Sequence, residues 1–493
     1  MKNMALHILM RGKHIFLILM ILVSCTEEPV YWNVKSTEQV ITQYVESNKD
    51  FSEFNKLLEN TGLTSLLSVR GPFTLFLPTD KAMNDFYTER NVRSFTEFPE
   101  QYRSELVLNH LIPMQIETGD IGLGAIREVN AMGDYLVTEF EGADIILNKR
   151  SKIIKRNIPA ANGVIHWVDK VIPPVTLSVY EVLEKNPNFS LFTEGLKRTN
   201  LKDTLQIIEF PFGNKKARTR YTILAVDNAT FGRYGINNID QLIGYFTNAK
   251  DSITYLNNGF YRYMEYHCLA GTHYLNNLEN RVYPILSYDN NISVVVDTDY
   301  KLNLNPATNQ YTGFVIDQSN FPAKNGAVHT VNDLLPVFEP KPTTIVWETT
   351  DHFDLKQGDY YGKHYMRWFD GQNTFANIKW EGDYMLYYFK DHDTGKVMNH
   401  DCLSMSGWWW VEVTTPKIMK GKYRLTSNLW SGQIDYAVYV DGVNTALIKR
   451  SDPAETTSWG EFNWTKTESH KIKVVAVSPG LLFWDTLIFT PIQ

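Results

Sequence analysis

The chain has 493 residues, 43% of them hydrophobic and 21% charged, with 29 glycines and 20 prolines. At roughly 100–200 residues per domain this is about three domains with ample material for cores, and the balance excludes a collagen-like, disordered or many-span membrane chain. A net charge of −7 excludes a basic nucleic-acid footprint, and three cysteines are too few for a disulfide framework.

Lys2, Arg11 and Lys13 give the amino terminus a positive charge, and Ile15 to Val23 is an unbroken apolar run of nine residues. A bilayer-spanning helix needs about 20, so the run is a signal-type segment. Translation starts at Met1 or at Met10, the latter leaving a more compact signal. Leu22-Val23-Ser24-Cys25 resembles the lipobox of bacterial lipoproteins. The resemblance implies cleavage after residue 24 and acyl chains on Cys25; an ordinary signal peptide with a chance cysteine is the alternative. Thr26-Glu27-Glu28 resembles an export signal that carries some Gram-negative lipoproteins to the outer face of the outer membrane. Residues 1–24 are thus read as a signal peptide and 25–35 as a tether, giving a lipid-anchored, surface-exposed outer-membrane protein. Cys268 and Cys402 then remain, 134 residues apart, and are expected as two buried thiols. No later segment has 18 consecutive apolar residues, so the acyl chains are the one expected membrane attachment.

The body contains a repeat. TLFLPTDKAM at 74–83 recurs as TILAVDNATF at 222–231: four apolar residues of a buried strand, then residues that cap helices, Thr79-Asp80 and Asp227-Asn228. NGVIHWVDKVIPP at 162–174 recurs as NGAVHTVNDLLPV at 325–337, with an Asn-Gly turn, a strand holding a central histidine, and a closing proline. Between them LVLNHLIP at 106–113 matches MEYHCLAG at 264–271. The offsets grow from 148 (Thr74 to Thr222) to 157 (His110 to His267) to 163 (Asn162 to Asn325), as expected when loops lengthen between shared elements. Helical periodicity precedes each opening strand: Phe51, Phe54, Leu57 and Leu58 in the first copy; Tyr180, Val182, Leu183, Leu191, Phe192 and Leu196 in the second.

These motifs in this order resemble the fasciclin domain, closely over 36–175 and in more diverged form over 176–340, where Ala225-Val226 replaces the usual aromatic-and-proline corner. The resemblance implies two α+β wedges, and modules used for adhesion or matrix contact without catalytic residues. Some family members bind cell-surface receptors through a Tyr-His pair, which Tyr266-His267 matches; the first copy has Asn109-His110. The competing reading makes His110, His166, His267 and His329 structural groups that bond backbone.

Pro336, Pro340 and Pro342 mark a linker, and residues 345–493 hold 10 of the 12 tryptophans. Alternating strands replace helical periodicity: YMLYYF at 384–389, WWWVEV at 408–413, YRLTS at 423–427, YAVYV at 436–440, KIKVVAV at 471–477 and WDTLIF at 484–489, with a hairpin signal at Asp441-Gly442. This pattern predicts an all-β sandwich or jelly roll. KGKYRLTSNLW, YAVYVDG and DTLIFTPI resemble carbohydrate-binding modules of the galactose-binding-like type. A pyranose offers a flat ring its apolar face and polar groups its hydroxyls. Period two puts Trp409, Val411 and Val413 on one face and Trp408, Trp410 and Glu412 on the other. Trp408 and Trp410 with Glu412 are therefore a candidate platform, unless a second layer covers them. Trp430, Trp459 and Trp464, near loop ends, are further candidates.

The sequence has no GxSxG elbow, HExxH helix, Walker loop or strand-following GxGxxG. Asp391, His392, Asp393, His400 and Asp401 form the densest polar cluster, without metal-site spacing. The expected protein is non-catalytic, needs no cofactor or metal, and binds a glycan or glycoprotein. The alternative partner is a neighbouring outer-membrane protein, with the chain an accessory subunit of an uptake complex. A glycan-cleaving enzyme is the third reading.

Overall fold

The computed structural model describes residues 38–68, 71–287, 290–352, 364–369, 375, 377–390, 397–432, 434–448 and 456–492. The signal segment, Cys25, Asp391, His392, Asp393 and the side chain of Trp430 lie outside the described residues. No helix among the described residues is long and apolar enough to cross a membrane.

In each repeat the two recurring motifs become adjacent parallel strands. Phe73–Pro78 runs beside Gly163–Val168 from Phe73 opposite Gly163 to Pro78 opposite Val168. Tyr221–Val226 runs beside Gly326–Val331 in the same register, from Tyr221 opposite Gly326 to Val226 opposite Val331. The remaining strands extend each sheet away from this pair, and the short strands Leu111–Ile112 and Cys268–Ala270 close the other side. These four central strands are buried along their length, apart from Trp167, which is why the sequence writes them as near-continuous apolar runs.

The polar pairs after the opening strands have divided tasks. Thr79 and Asp227 cap their own helices, accepting from the backbone N–H of Ala82 at 3.2 Å and Thr230 at 2.7 Å. The next residues cap the helix packed alongside: Asp80 Oδ1 accepts from Glu53 N at 2.8 Å, and Asn228 Oδ1 from Leu191 N at 3.1 Å. That neighbouring helix, Ser52–Asn60 or Ser190–Arg198, buries the periodic residues Phe54, Leu57 and Leu58 or Phe192 and Leu196.

The Asn-Gly pairs are clamps as well as turns. Asn162 accepts from Ile41 N at 2.9 Å and donates to Leu67 O at 2.7 Å; Asn325 accepts from Val179 N at 2.8 Å and donates to Leu205 O at 2.9 Å. Their glycines admit no side chain, since a Cβ on Gly163 would lie 2.0 Å from Phe73 O and one on Gly326 1.9 Å from Tyr221 O.

The two copies meet through a polar seam. Buried Asp134 accepts from Arg218 and from Lys324, each at 2.5 Å. Asn276 holds both backbone groups of Ala125, at 2.9 and 2.8 Å, and Tyr135 meets Tyr274 edge to face at 5.7 Å. Gly124, with φ at 103°, leaves the space that the Asn276 amide occupies.

The C-terminal region is built from two antiparallel sheets. One orders His364–Phe369, Met385–Lys390, Asp401–Gly407, Gly480–Pro491, Gly421–Gly432 and Thr456–Trp464, with Ile345–Glu348 also on Gly480–Pro491. The other orders Ile378–Glu381, Trp410–Thr414, Lys471–Ala476, Tyr436–Val440 and Val443–Ile448. Leu403, Met405, Trp484 and Leu487 of the first and Val411, Val413, Val438 and Val474 of the second share one core, which Val282 of the second fasciclin-like copy joins. Asp441 and Gly442, with φ of 49° and 82°, form the tight hairpin that their sequence signals. Cys268 and Cys402 are both buried, as expected.

Candidate functional site

The strand expected over 408–413 begins at Trp410 and runs to Thr414, with Trp408 in the bend before it, and the alternation of burial holds across 408–413. Trp409, Val411 and Val413 enter the core, whereas the Trp408 ring is 61% exposed and Trp410 and Glu412 stand half-exposed on the outer side. Trp410 is fixed rather than loose: its indole N–H donates to Glu381 Oε2 at 2.7 Å, and Lys473 Nζ sits 3.9 Å from the ring centroid. Cation–π contact thus occupies one face of Trp410 and leaves Trp408 as the more open ring. Register places Glu412 opposite Lys379 and Lys473, so this outer face alternates charges around an aromatic centre.

The other candidate rings fare differently. Trp459 is fully buried, between Tyr436 at 6.1 Å and Trp484 at 5.6 Å, with its N–H toward the Tyr436 hydroxyl at 3.4 Å. Its expected position at a loop end is corrected: it belongs to the core. Trp464 is half-buried and stacked, with Phe462 at 5.4 Å and His470 at 4.0 Å, so other aromatics take the surface a sugar would need. Trp430 lies within the strand Gly421–Gly432.

The Tyr-His pair is likewise internal. Tyr266 is 1% exposed; its hydroxyl accepts from Asn303 Nδ2 at 2.9 Å and faces the carbonyls of Asn291 at 3.1 Å and Phe338 at 3.2 Å. His267 is 0% exposed, with Nδ1 2.8 Å from Tyr263 O. Neither ring offers a surface to a partner, which corrects the expectation of receptor contact at this pair. All four repeat histidines bond backbone, and burial lowers the pKa of His110, His267 and His329 to about 4.

Sequence reasoning passed over Trp368. The segment His364–Phe369 alternates, sending Phe369 inward and leaving Met366 and Trp368 on the outer side, with Trp368 58% exposed. Tyr384 meets Trp368 edge to face at 4.5 Å. The alternation in HYMRWF was the available signal.

Buried carboxylates form the other polar feature. Asp401 accepts from the hydroxyls of Tyr387 at 2.8 Å and Thr350 at 3.0 Å. Asp485 accepts from Asn428 Nδ2 at 2.7 Å and from the Met398 N–H at 3.1 and 3.2 Å. Burial raises both, Asp485 to about 7. Among the described residues no group of three or more His, Cys, Asp or Glu side chains is placed to hold a metal ion.

Comparison with known proteins bears on the N-terminal two thirds. The fasciclin domain model matches residues 49–174 and 187–337, more than half the chain. Stabilin-1 of Mus musculus is 30% identical over 143 residues, which is 29% of this chain and 6% of Stabilin-1, so the chain spans a small part of that relative. The solved FAS1 domain pair of the insect cell adhesion molecule Fasciclin I is 14% identical, with a TM-score of 0.27, over 59% of this chain and 98% of that one. The C-terminal CBM6 of a marine laminarinase from Zobellia galactanivorans is 10% identical, with a TM-score of 0.18, over 30% of this chain and 100% of that one. With two matched copies carrying the repeated strands, caps and clamps, the chain belongs to the fasciclin family.

Proposed function

We propose that this protein is a non-catalytic surface lipoprotein, anchored through Cys25 at the outer membrane, that holds a glycan or glycoprotein on its C-terminal region. In this reading the region is a carbohydrate-binding β-sandwich, and the fasciclin pair presents it away from the membrane. The observation that carries the proposal is the open indole of Trp408, 61% exposed in the bend that leads into the strand holding the polar-fixed Trp410. Tethering raises effective concentration, so a weak single site suffices.

A glycan array and affinity electrophoresis with the full chain test it. Trp408→Ala is expected to weaken retention about tenfold, the scale of one lost aromatic contact. Unchanged retention with the fold intact overturns the role of this ring. Release of reducing sugar by the protein would support a glycosidase instead.

A second reading, docking onto a neighbouring outer-membrane protein, draws on a separate feature. The isolated hairpin Glu209–Phe212 and Lys215–Arg218 carries Phe210 and Phe212 on one face, and both are exposed. Exposed apolar patches mark interaction sites. Loss of a co-purifying membrane protein on Phe210→Ser with Phe212→Ser would favour this reading.

A further inference from the structure

A cleft of about 380 Å³ opens where the second fasciclin copy, the linker and the C-terminal region meet, within the size range of small-molecule sites, roughly 300–1,000 Å³. Its lining carries Lys417, Lys420 and Lys466 against the single carboxylate of Glu339, a surplus of two positive charges on a chain whose net charge is −7. We propose that this cleft binds an anionic carbohydrate, a sugar bearing a carboxylate or a sulfate ester; the inference rests on the glycan-binding reading and names its ligand class.

The ammonium groups differ in how they are held. Glu339 pairs with Lys420, fixing the linker wall. Lys417 donates to Asn291 Oδ1 at 3.4 Å, a long bond that leaves two of its hydrogens for another acceptor. Lys417 and Lys466 have no carboxylate partner among the described residues. Lys417 is half-buried in the recess, where water screens a charge-assisted bond less, whereas Lys420 and Lys466 are exposed at its rim and add longer-range attraction that salt screens. Thr467 and Asn291 add neutral groups to the lining: Thr467 Oγ1 accepts from Lys420 N at 3.1 Å and keeps its own hydrogen to donate, and Asn291 keeps its amide N–H groups. The lining therefore supplies both halves of an acidic sugar's chemistry, cations for the acid and polar groups for the ring. Because its walls come from both sides of the linker, an occupant would brace that junction.

The test titrates the full chain with oligogalacturonate, dextran sulfate and unsubstituted dextran at low and raised salt. The first two separate the carboxylate source from the sulfate source, and the third controls for the bare polymer. Binding of either anion, weakened by salt and not matched by dextran, is expected. Lys417→Glu with Lys466→Glu should lower affinity at least about tenfold, the loss of two charge-assisted contacts. Lys417→Gln with Lys466→Gln should give a smaller loss, and Glu339→Gln should tighten binding. Unfolding midpoints check that each variant is folded. Anion binding that is indifferent to both lysine pairs overturns the cleft, as does failure of both anions to bind. Loss on Trp408→Ala alone would leave the aromatic reading standing and the cleft refuted. Loss on the lysine variants with Trp408→Ala silent would leave the cleft standing and the aromatic reading refuted.

Discussion

The duplicated module solves one problem in two ways. In the first copy, Asn109 and His110 grip a single residue of the departing chain: Asn109 Nδ2 donates to Ile172 O at 2.8 Å, and His110 Nε2 accepts from Ile172 N at 3.0 Å. In the second copy, the tyrosine at the matching position reaches farther, to Phe338 at the start of the linker, while His267 Nε2 is buried with no hydrogen-bond partner among the described residues. The copies thus keep the position and change the chemistry to suit the next unit of the chain, another fasciclin module or a β-rich region. A Tyr-His motif that reads as a contact pair in the sequence is a latch in the structure.

The strongest way to break the equivalence of the copies is at their shared glycines. Gly163→Ala and Gly326→Ala should each cost more than about 4 kcal/mol, because each methyl would overlap backbone of the opening strand. Urea unfolding of the two variants checks this, and tolerance in one copy alone would show that its central strand pair is looser. Asp134→Ala should come next at about 3–5 kcal/mol, since it strands Arg218 and Lys324 in a largely buried seam. If the two copies then melt separately, the seam is what couples them.

The latches are expected to rank below that. His110→Ala removes two backbone bonds of the ring and His267→Ala one, so the first should be about 1 kcal/mol more costly. Tyr266→Phe should cost roughly 1–2 kcal/mol and speed proteolysis of the linker, with little change in the first copy. Equal costs for the two histidines would contradict this division of labour.

Acidity should separate the fasciclin pair from the C-terminal region. The buried histidines have folded pKa values near 4, below the ordinary 6.5, so the folded copies bind fewer protons and lose stability as pH falls from 6.5 toward 4. Asp485 shifts the other way, from 3.8 to about 7, so the C-terminal region binds more protons when folded and loses stability as pH rises across that interval. Calorimetry across this range should show the two transitions moving in opposite directions, and Asp485→Asn should flatten the second. The smallest stability effect belongs to Trp408→Ala, within about 0.5 kcal/mol, as for an exposed surface substitution.

The legible part of the sequence was local. Each opening strand adjoins its cap and each Asn-Gly pair adjoins its own strand, so both copies could be found from TLFLPTDKAM and NGVIHWVDKVIPP and their partners. The inward and outward sets of 408–413 came from period two alone. Trp459 and Trp464 were misjudged because their surroundings come from distant strands. A register shift between Leu425 and Thr426 accompanies Trp459 on the paired strand, and His470 stacks on Trp464 from the other sheet's side. The seam at Asp134 and the cleft at Lys417 were invisible for the same reason: each exists only once separate modules have met.

The amide of Asn276, seated in the space left by Gly124, has a mechanical consequence. Two modules joined by a flexible cord swivel independently, but two modules that clasp each other's main chain turn as one lever. A turning force on one copy is therefore passed to the other instead of being absorbed at an elbow between them.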